Sequence, residues 1–315
     1  MLGTKPQLLK RRTVGDNIWL SEIEDEKGSQ DFLSLLEVND VQPEILASEE
    51  AVGAAMLAEL ETEARSHHDD IVMILLGGRG AQAMHRLLGE RAKRGHDELI
   101  ARLHVFTQDA LAPLRLNNSL SFVRDFERLL GDAFFQQVKS FTPMRTDVPD
   151  LPTLEAELSA YVQKLDALGG AHIFFLGHGP EPGDASHLAY IRAGSGATAT
   201  DIAGLIPISS GILDHHITKF KAGGSAINPE DEAECRQATH ILTLGPAAIL
   251  NAKRIVQSVV DASTAPAKKR TYRRVMETVL AEDPAERAIQ LDQNPGLWLR
   301  LHPNYRSLIL ADVLN

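Results

Sequence analysis

The chain is poor in cysteine and in positive charge. Only one of its 315 residues is cysteine, Cys235, so no disulfide can form within the chain and no cysteine-based metal site is indicated. This cysteine usage favours a cytoplasmic protein. Lysine and arginine number 32 against 43 acidic residues, which gives a formal net charge of -11. That charge disfavours non-specific binding to nucleic acids and to anionic membranes.

Long apolar segments are also lacking. No apolar run approaches the roughly 18 residues that a membrane-spanning helix needs. The N-terminus carries Lys5, Lys10, Arg11 and Arg12, but no apolar core of a signal peptide follows them. The sequence therefore predicts neither a membrane span nor a secretion signal.

The composition that remains is that of a globular protein. Hydrophobic residues make up 43% and charged residues 24%, both ordinary values, and the length suits one large α/β domain or two small ones. Residues 1 to about 44 read as irregular, so we interpret them as an N-terminal extension that packs on the body or on a partner subunit. Residues 45–315 are interpreted as a single α/β domain. The oligomeric state stays open, a homo-oligomer included.

Strand and helix patterns alternate along residues 45–315. Buried strands are predicted at Ile71–Leu76, Leu103–Phe106, His172–Leu176, His240–Leu244, Ile255–Val260 and Leu308–Ala311. Helices are predicted from Ser48, a plausible N-cap, and over about 81–94, 118–130 and 154–168. This alternation predicts a doubly wound, mainly parallel sheet with helices on both faces.

The turn after the first confident strand is the most informative feature. The apolar run Ile71–Leu76 leads directly into Gly77-Gly-Arg-Gly80, and a helical pattern follows. A Gly-rich turn from a strand into a helix offers backbone N–H groups at a helix N-terminus, which suits a phosphate or another anion. Ordinary turn chemistry is the alternative interpretation. The spacing does not match the dinucleotide fingerprint, and the chain has no Walker-type loop or Gly-x-Ser-x-Gly elbow.

Two later strand ends carry ionisable residues. Asp109 follows the second strand, and the loop after the third contains His178, Asp184 and His187. A buried carboxylate at a strand end can act as a general base, and a histidine can shuttle a proton near neutral pH. Because ligands of parallel sheets bind beyond the carboxyl ends of the strands, we expect proton-transfer chemistry on a small anionic substrate. The alternatives are a helix cap or turn residue for Asp109 and a surface loop histidine for His187.

Two other clusters have simpler interpretations. His215 and His216 are adjacent, so on a helix they point to different faces, and metal binding is disfavoured. The basic run at Lys268–Arg270 with Arg273 and Arg274 is interpreted as a solvated helix face.

Four segments resemble the glucosamine-6-phosphate deaminase and 6-phosphogluconolactonase superfamily, over roughly residues 45 to 315. The first is the phosphate-loop segment Leu75–Leu88, and the second is the strand Leu103–Asp109, followed by Asn118-Ser119. The third is Phe175–Pro180 with its loop to His187-Leu-Ala-Tyr190, and the fourth is the late strand–turn–helix Thr239–Ile255. Leu301-His-Pro-Asn304 is a further match near the C-terminus. The Thr239–Ile255 segment is the most specific and resembles the deaminase branch. The resemblance implies a Rossmann-like sugar-phosphate isomerase/deaminase fold.

The resemblance also implies roles. Asp109 would move a proton between C1 and C2 of an open-chain sugar phosphate, and His187 would assist ring opening with Asp184 as its orienting carboxylate. The phosphate would be held by Gly77, Gly78, Arg79, Gly80 and Lys219, and His178 is a further candidate for binding the substrate. No metal and no organic cofactor would be required, and the partner would be a small-molecule sugar phosphate.

Three functions remain open at this point. The first is a deaminase- or isomerase-like enzyme acting on an aminosugar or ketose phosphate. The second is a lactone hydrolase, in which His187 would activate water. The third is a non-catalytic sugar-phosphate-binding protein, because Gly80-Ala81 replaces the Ser or Thr and Pro of the family's phosphate loop. In addition, the position of the glutamate of the deaminases falls near Ile191-Arg192, so that acid is missing here. The position of a late lysine of the family falls near Thr264.

Overall fold

The computed structural model describes residues 9–23, 26–148, 150–181, 185–263 and 265–314. The strands are β1 Lys10–Val14, β2 Asn17–Ser21, β3 Glu44–Leu46, β4 Ile71–Leu75, β5 Leu103–Thr107, β6 Asp109–Ala112, β7 Ser140–Thr142, β8 Ile173–Leu176, β9 Gly179–Pro180, β10 Ser186–Leu188, β11 Ile191–Arg192, β12 Asp201–Pro207, β13 His240–Leu244, β14 Arg254–Val259 and β15 Tyr305–Leu310. The α-helices are α1 Glu26–Ser34, α2 Glu49–Ser66, α3 Gln82–Lys93, α4 Glu98–Ala101, α5 Phe122–Leu130, α6 Asp132–Phe135, α7 Leu151–Ala167, α8 Ser210–Ala222, α9 Pro229–Cys235, α10 Pro246–Leu250, α11 Ala267–Glu277 and α12 Pro284–Gln293. Short 3-10 helices span Arg79–Ala81, Pro295–Leu301 and Ala311–Val313.

A parallel sheet of seven strands forms the centre of the molecule, in the order β3-β15-β14-β8-β4-β5-β7. The chain runs outwards from β4 through β5 to β7 and then returns to place β8 on the other side of β4. The strand order therefore reverses between β4 and β8, and a ligand crevice is expected at such a reversal. The predicted mainly parallel α/β sheet is confirmed.

Both faces of this sheet are covered, which explains its continuous apolar strands. On β4, Ile71, Met73 and Leu75 pack into one core with α2, α3 and α5. Val72 and Ile74 point to the other face and pack into a second core with α7 and the 3-10 helix Pro295–Leu301. The alternation of side chains across a strand thus feeds two cores from one apolar run.

A second sheet covers the face of the parallel sheet to which Val72 and Ile74 point. Its five strands run in the order β1-β2-β12-β13-β6, and every neighbouring pair is antiparallel. The chain leaves the parallel sheet at Thr107 and enters this second sheet at Asp109. β13 was predicted as one of the buried strands and is confirmed as a strand, but it lies in the antiparallel sheet.

The N-terminal residues are more regular than predicted. β1 and β2 form a hairpin whose second strand pairs with β12, and Trp19 of β2 is fully buried. The description of residues 1–44 as irregular is therefore wrong for this hairpin and for α1. The division into an extension and a domain at residue 44 stays a prediction.

Helix boundaries follow local capping chemistry. Ser48 caps α2 as predicted, accepting a hydrogen bond from the Ala51 N–H at 3.2 Å. The helix predicted from residue 118 begins at Phe122 instead, because the Ser121 hydroxyl accepts from the Val123 N–H at 3.1 Å and starts the helix there.

Candidate active site

A cleft opens beyond the carboxyl ends of β4, β8 and β14, where the strand order reverses. Its volume, open solvent included, is about 740 Å³. Its walls come from the turn after β4, the loop after β8, the end of β14, and helices α8 and α11. The cleft therefore gathers segments that are far apart in the sequence.

The predicted site residues of the described segments all line this cleft. They are Gly77, Gly78, Arg79, Gly80, Asp109, His178, His187 and Lys219. Asp184 lies outside the described residues, so its assignment stays a prediction. The structure also brings in residues that were not selected from the sequence: Gln108, Tyr190, Ser258, Asp261 and Lys268.

The glycine turn forms the floor of the cleft beside α3. Gly78 adopts a φ of +79°, a left-handed conformation that side chains disfavour. The Ser258 hydroxyl donates a hydrogen bond of 2.7 Å to the Gly80 carbonyl, so β14 holds the turn in place. The turn leads through a 3-10 segment into α3, which gives the strand–turn–helix geometry that suits an anion.

Arg79 does not point freely into the cleft. Its guanidinium makes two hydrogen bonds to the Glu49 carboxylate at the start of α2, of 2.6 and 3.2 Å. The pair is partly exposed, with 39% of the Arg79 side chain accessible. Arg79 would have to leave or share Glu49 in order to contact a ligand.

Positive charge in the cleft is concentrated on two lysines that share one carboxylate. Lys219 of α8 donates to Asp261 at 2.5 Å, and Lys268 of α11 donates to the other oxygen of the same carboxylate. Burial alone would raise the pKa of Asp261, but the two ammonium charges outweigh it and lower that pKa. Asp261 therefore fixes the positions of both lysine side chains.

The interpretation of the basic run as a solvated face is wrong for Lys268. This residue is 9% exposed and lines the cleft, whereas Arg270, Arg273 and Arg274 are exposed. Only the direction that α11 gives each side chain separates them, and Asp261 supplies the carboxylate partner that a buried lysine needs.

Asp109 sits at the junction of the two sheets and is 3% exposed. Its carboxylate accepts a hydrogen bond from the Gln108 side chain, and no other hydrogen bond to the carboxylate is made by the described residues. Burial raises the pKa of Asp109 to about 7, and the Gln108 hydrogen bond offsets only part of that rise. A carboxyl group with this pKa can both accept and return a proton at neutral pH.

His187 is held in one tautomer. Its Nδ1 accepts a hydrogen bond of 3.1 Å from the Tyr190 backbone N–H, so Nδ1 carries no proton. Burial lowers the pKa of His187 well below its usual value, and the charge of Lys268 lowers it further. The neutral ring must then carry its proton on Nε2, which makes Nε2 a hydrogen-bond donor.

Gly179 is needed for this placement of His187. The two residues face each other across the β9–β10 pair, and a Cβ on Gly179 would lie 1.9 Å from the His187 ring. No side chain fits there without moving the imidazole.

The backbone after His187 is strained. Ala189 and Tyr190 both have positive φ, 49° and 58°, at a cost of roughly 1–3 kcal/mol each for non-glycine residues. The Thr243 hydroxyl of β13 donates to the Ala189 carbonyl, and the Tyr190 N–H bonds to His187, which together hold this conformation. Such strain clusters at functional sites.

The other cleft histidines are neutral at physiological pH. Burial lowers the pKa of His178 to about 3 and that of His215 to about 4. His178 contacts the Thr271 hydroxyl through Nε2 at 2.6 Å, and its buried Nδ1 has no partner. Nε2 of His216 bonds to the Leu120 carbonyl at 2.8 Å. No cluster of metal-ligating side chains occurs in the part of the chain that the structure describes.

Comparison with solved structures gives a consistent result. A monomeric glucosamine-6-phosphate deaminase matches with a TM-score of 0.65 and 19% identity, covering 87% of this chain and 98% of that one. The 6-phosphogluconolactonase of Trypanosoma cruzi matches with a TM-score of 0.62 and 13% identity over 89% and 97% of the two chains. That of Thermotoga maritima matches with a TM-score of 0.58 and 14% identity over 86% and 99%.

The chain has the fold of these proteins. The resemblance seen in the residues is thereby confirmed for the fold. In comparisons of sequence, no family model and no curated protein matches the chain. None of the helices in the described parts of the chain combines the length and the apolar character of a membrane span. Oligomeric state and cytoplasmic location stay predictions.

Proposed function

We propose that the protein is an enzyme that moves a proton between C1 and C2 of an aminosugar or ketose phosphate, as glucosamine-6-phosphate deaminases and isomerases do. The observation that carries this proposal is one cleft that combines a buried carboxyl group, an imidazole N–H donor and a basic cluster. The fold shared with a glucosamine-6-phosphate deaminase supports it.

Asp109 acts as the base in this proposal. With a pKa raised to about 7 by burial, its carboxylate takes the proton from one carbon of the open-chain sugar and returns it to the next. Where C2 carries an amino group, the imine that results takes up water and releases ammonia.

His187 acts as a donor. Because Nδ1 is occupied by the Tyr190 N–H, the Nε2–H is the group that can hydrogen-bond to a sugar oxygen during ring opening. An orienting carboxylate at Nδ1 would need a proton there. We therefore assign the orientation of His187 to the backbone of Tyr190, and the role of Asp184 stays a prediction.

The phosphate is held by the Gly77–Gly80 turn together with Lys219 and Lys268. The two ammonium groups are already positioned by Asp261, so little ordering remains when the anion arrives. Lys268→Met should weaken binding of inorganic phosphate and of sugar phosphates alike, whereas Lys93→Met on the exposed face of α3 should change neither. Unchanged phosphate affinity in Lys268→Met would remove this residue from the site.

Lactone hydrolysis is the second candidate, favoured by the fold shared with 6-phosphogluconolactonases. It would require His187 to accept a proton from water at Nε2, where the neutral ring already carries one. The deaminase or isomerase reaction is therefore preferred.

The test is turnover by the purified protein. Ammonia or ketose release from glucosamine-6-phosphate supports the proposal, and proton release from 6-phosphogluconolactone supports the second candidate. Thermal stabilisation by sugar phosphates without turnover of any aminosugar or ketose phosphate would indicate a binding protein; a ligand at 100 times its dissociation constant adds about 2.7 kcal/mol. If the protein shows no turnover and is not stabilised by any sugar phosphate, all three functions are contradicted.

A further inference from the structure

Tyr190 lines the cleft, but the proposed mechanism uses only its backbone N–H. Its ring lies parallel to the His187 imidazole, with centroids 4.4 Å apart and an interplanar angle of 8°. Its φ of 58° is one that a tyrosine rarely adopts. The Tyr190 ring therefore covers one face of the His187 imidazole.

The hydroxyl of Tyr190 has no hydrogen-bond partner among the described residues, although the residue lines the cleft. The tyrosines of the protein core differ in this respect. Tyr161 donates to the Thr107 carbonyl, Tyr272 bonds to Ser307, and Tyr305 donates to Gln257. An unpartnered hydroxyl in a ligand cleft is a group available to a ligand.

The surroundings of this hydroxyl determine whether it keeps its proton. Burial acts on it first, followed by Asp109 and Glu181. Burial and these carboxyl groups raise the pKa of Tyr190 well above its usual value, so the hydroxyl keeps its proton and can donate.

From this geometry we infer that Tyr190 binds the sugar part of the substrate through its hydroxyl, while its ring and backbone N–H position His187. The inference rests on the proposed function for the identity of the ligand. A sugar hydroxyl or ring oxygen is the expected acceptor, because the phosphate is assigned to the turn and the two lysines. Tyr190 would then contribute to the choice of sugar and not to phosphate binding.

The experiment compares two probes, inorganic phosphate and glucosamine-6-phosphate, by calorimetry. Tyr190→Phe keeps the ring and removes the hydroxyl, and Tyr272→Phe is the matched control in the core. We expect Tyr190→Phe to weaken glucosamine-6-phosphate binding roughly three- to tenfold, as for the loss of one hydrogen bond, with phosphate affinity unchanged. Equal affinities for the sugar phosphate in wild type and Tyr190→Phe would overturn the hydroxyl assignment.

The positioning role has a separate readout. Tyr190→Gly removes the ring and relaxes the positive φ, so the His187 imidazole should gain water and its pKa, followed by NMR titration, should rise. Tyr190→Phe should leave that pKa unchanged, and the same titration in both variants would overturn the positioning role. If neither wild type nor variants bind glucosamine-6-phosphate while His187 still titrates as expected, the proposed function fails and the positioning of His187 stands.

Discussion

The two ends of the parallel sheet differ in how completely their buried polar groups are paired. At the amino end, Glu59 and Glu63 of α2 are each 5% exposed, and every one of their carboxylate oxygens has a partner. Arg254 bridges both residues at 2.8 and 3.1 Å, Arg306 bonds the second oxygen of Glu59, and His67 contacts the second oxygen of Glu63 at 2.9 Å.

At the carboxyl end Asp261 is also fully paired, by Lys219 and Lys268, but several other polar groups lack partners for some of their atoms. Asp109 accepts one hydrogen bond among the described residues, Nδ1 of His178 and Oε1 of Gln108 have no partner, and the Tyr190 hydroxyl is unused. A saturated network stabilises a fold, whereas an unsaturated one has room for a ligand. Because these unpaired groups line one cleft, the difference supports a ligand site there without reference to any resemblance.

Among the variants that test this contrast between the two ends of the sheet, Asp109→Asn should have the largest effect on turnover. The substitution keeps the shape and removes the base, so turnover of the proposed substrate should fall by about a thousandfold. The free energy of unfolding should not fall, because a buried ionisable group is replaced by a neutral one. Kinetic assays and denaturant unfolding on the same preparation measure both. Turnover retained at the wild-type rate would remove Asp109 from the mechanism.

Gly179→Ala tests whether the placement of His187 matters. A Cβ 1.9 Å from the imidazole ring must displace it, and a shift of about 1 Å at a reacting group costs roughly a hundredfold in rate. Gly15→Ala, in the hairpin turn with φ of +56° and open space around it, is the control that carries backbone strain without touching the cleft. Similar kinetics for the two variants would contradict the assignment of His187.

Glu59→Gln tests the amino end. It removes one of the two carboxylates that each arginine contacts, since Arg254 keeps Glu63 and Arg306 keeps Glu44, and the free energy of unfolding should fall by about 2 kcal/mol. This is less than for a fully buried pair because Arg306 is 45% exposed. Turnover per folded molecule should be unchanged. Glu90→Gln, whose exposed pair with Lys93 spans one helical turn, should have no measurable effect. A loss of turnover in Glu59→Gln would show that the two ends of the sheet are coupled.

The pH dependence is the last test of the buried carboxyl group at the carboxyl end. Since the pKa of Asp109 is about 7 in the folded protein, the base form is lost as the pH falls through 7. The rate should be about half its maximum at pH 7 and should drop nearly tenfold for each unit below.

Stability should move in the other direction, because between about pH 4 and pH 7 the folded protein keeps a proton on Asp109 that the unfolded chain releases. The free energy of unfolding should therefore fall as the pH rises through this window, and Asp109→Asn should flatten that slope. A wild-type profile identical to that of the variant would contradict the raised pKa.

Much of the central sheet could be predicted from the residues. Strands such as β4 and β8 are short apolar runs bounded by glycine, and their local pattern suffices. The antiparallel sheet was largely missed because β1, β6 and β12 carry charged, short or glycine-containing sequences. Their strand conformation depends on partners that are distant along the chain.

Of the residues that line the cleft, Asp109, His187 and the Gly77–Gly80 turn were predicted as site residues from the sequence, but Lys268 and Tyr190 were not. Lys268 lies in a run of basic residues whose members differ only in the direction that α11 gives them. Tyr190 is an ordinary aromatic residue until its backbone conformation and its stacking on His187 are known.

The sequence by itself determined the alternation of strands and helices, the absence of disulfides and the glycine turn after β4, because each depends on residues close together in the chain. Only the tertiary structure decided which charges are saturated and which are available. Asp261 joins lysines on two helices, Tyr190 fixes the tautomer of His187, and the junction of two sheets buries Asp109. Each of these is a matter of burial and distance between remote segments, and burial sets the protonation state on which the chemistry depends.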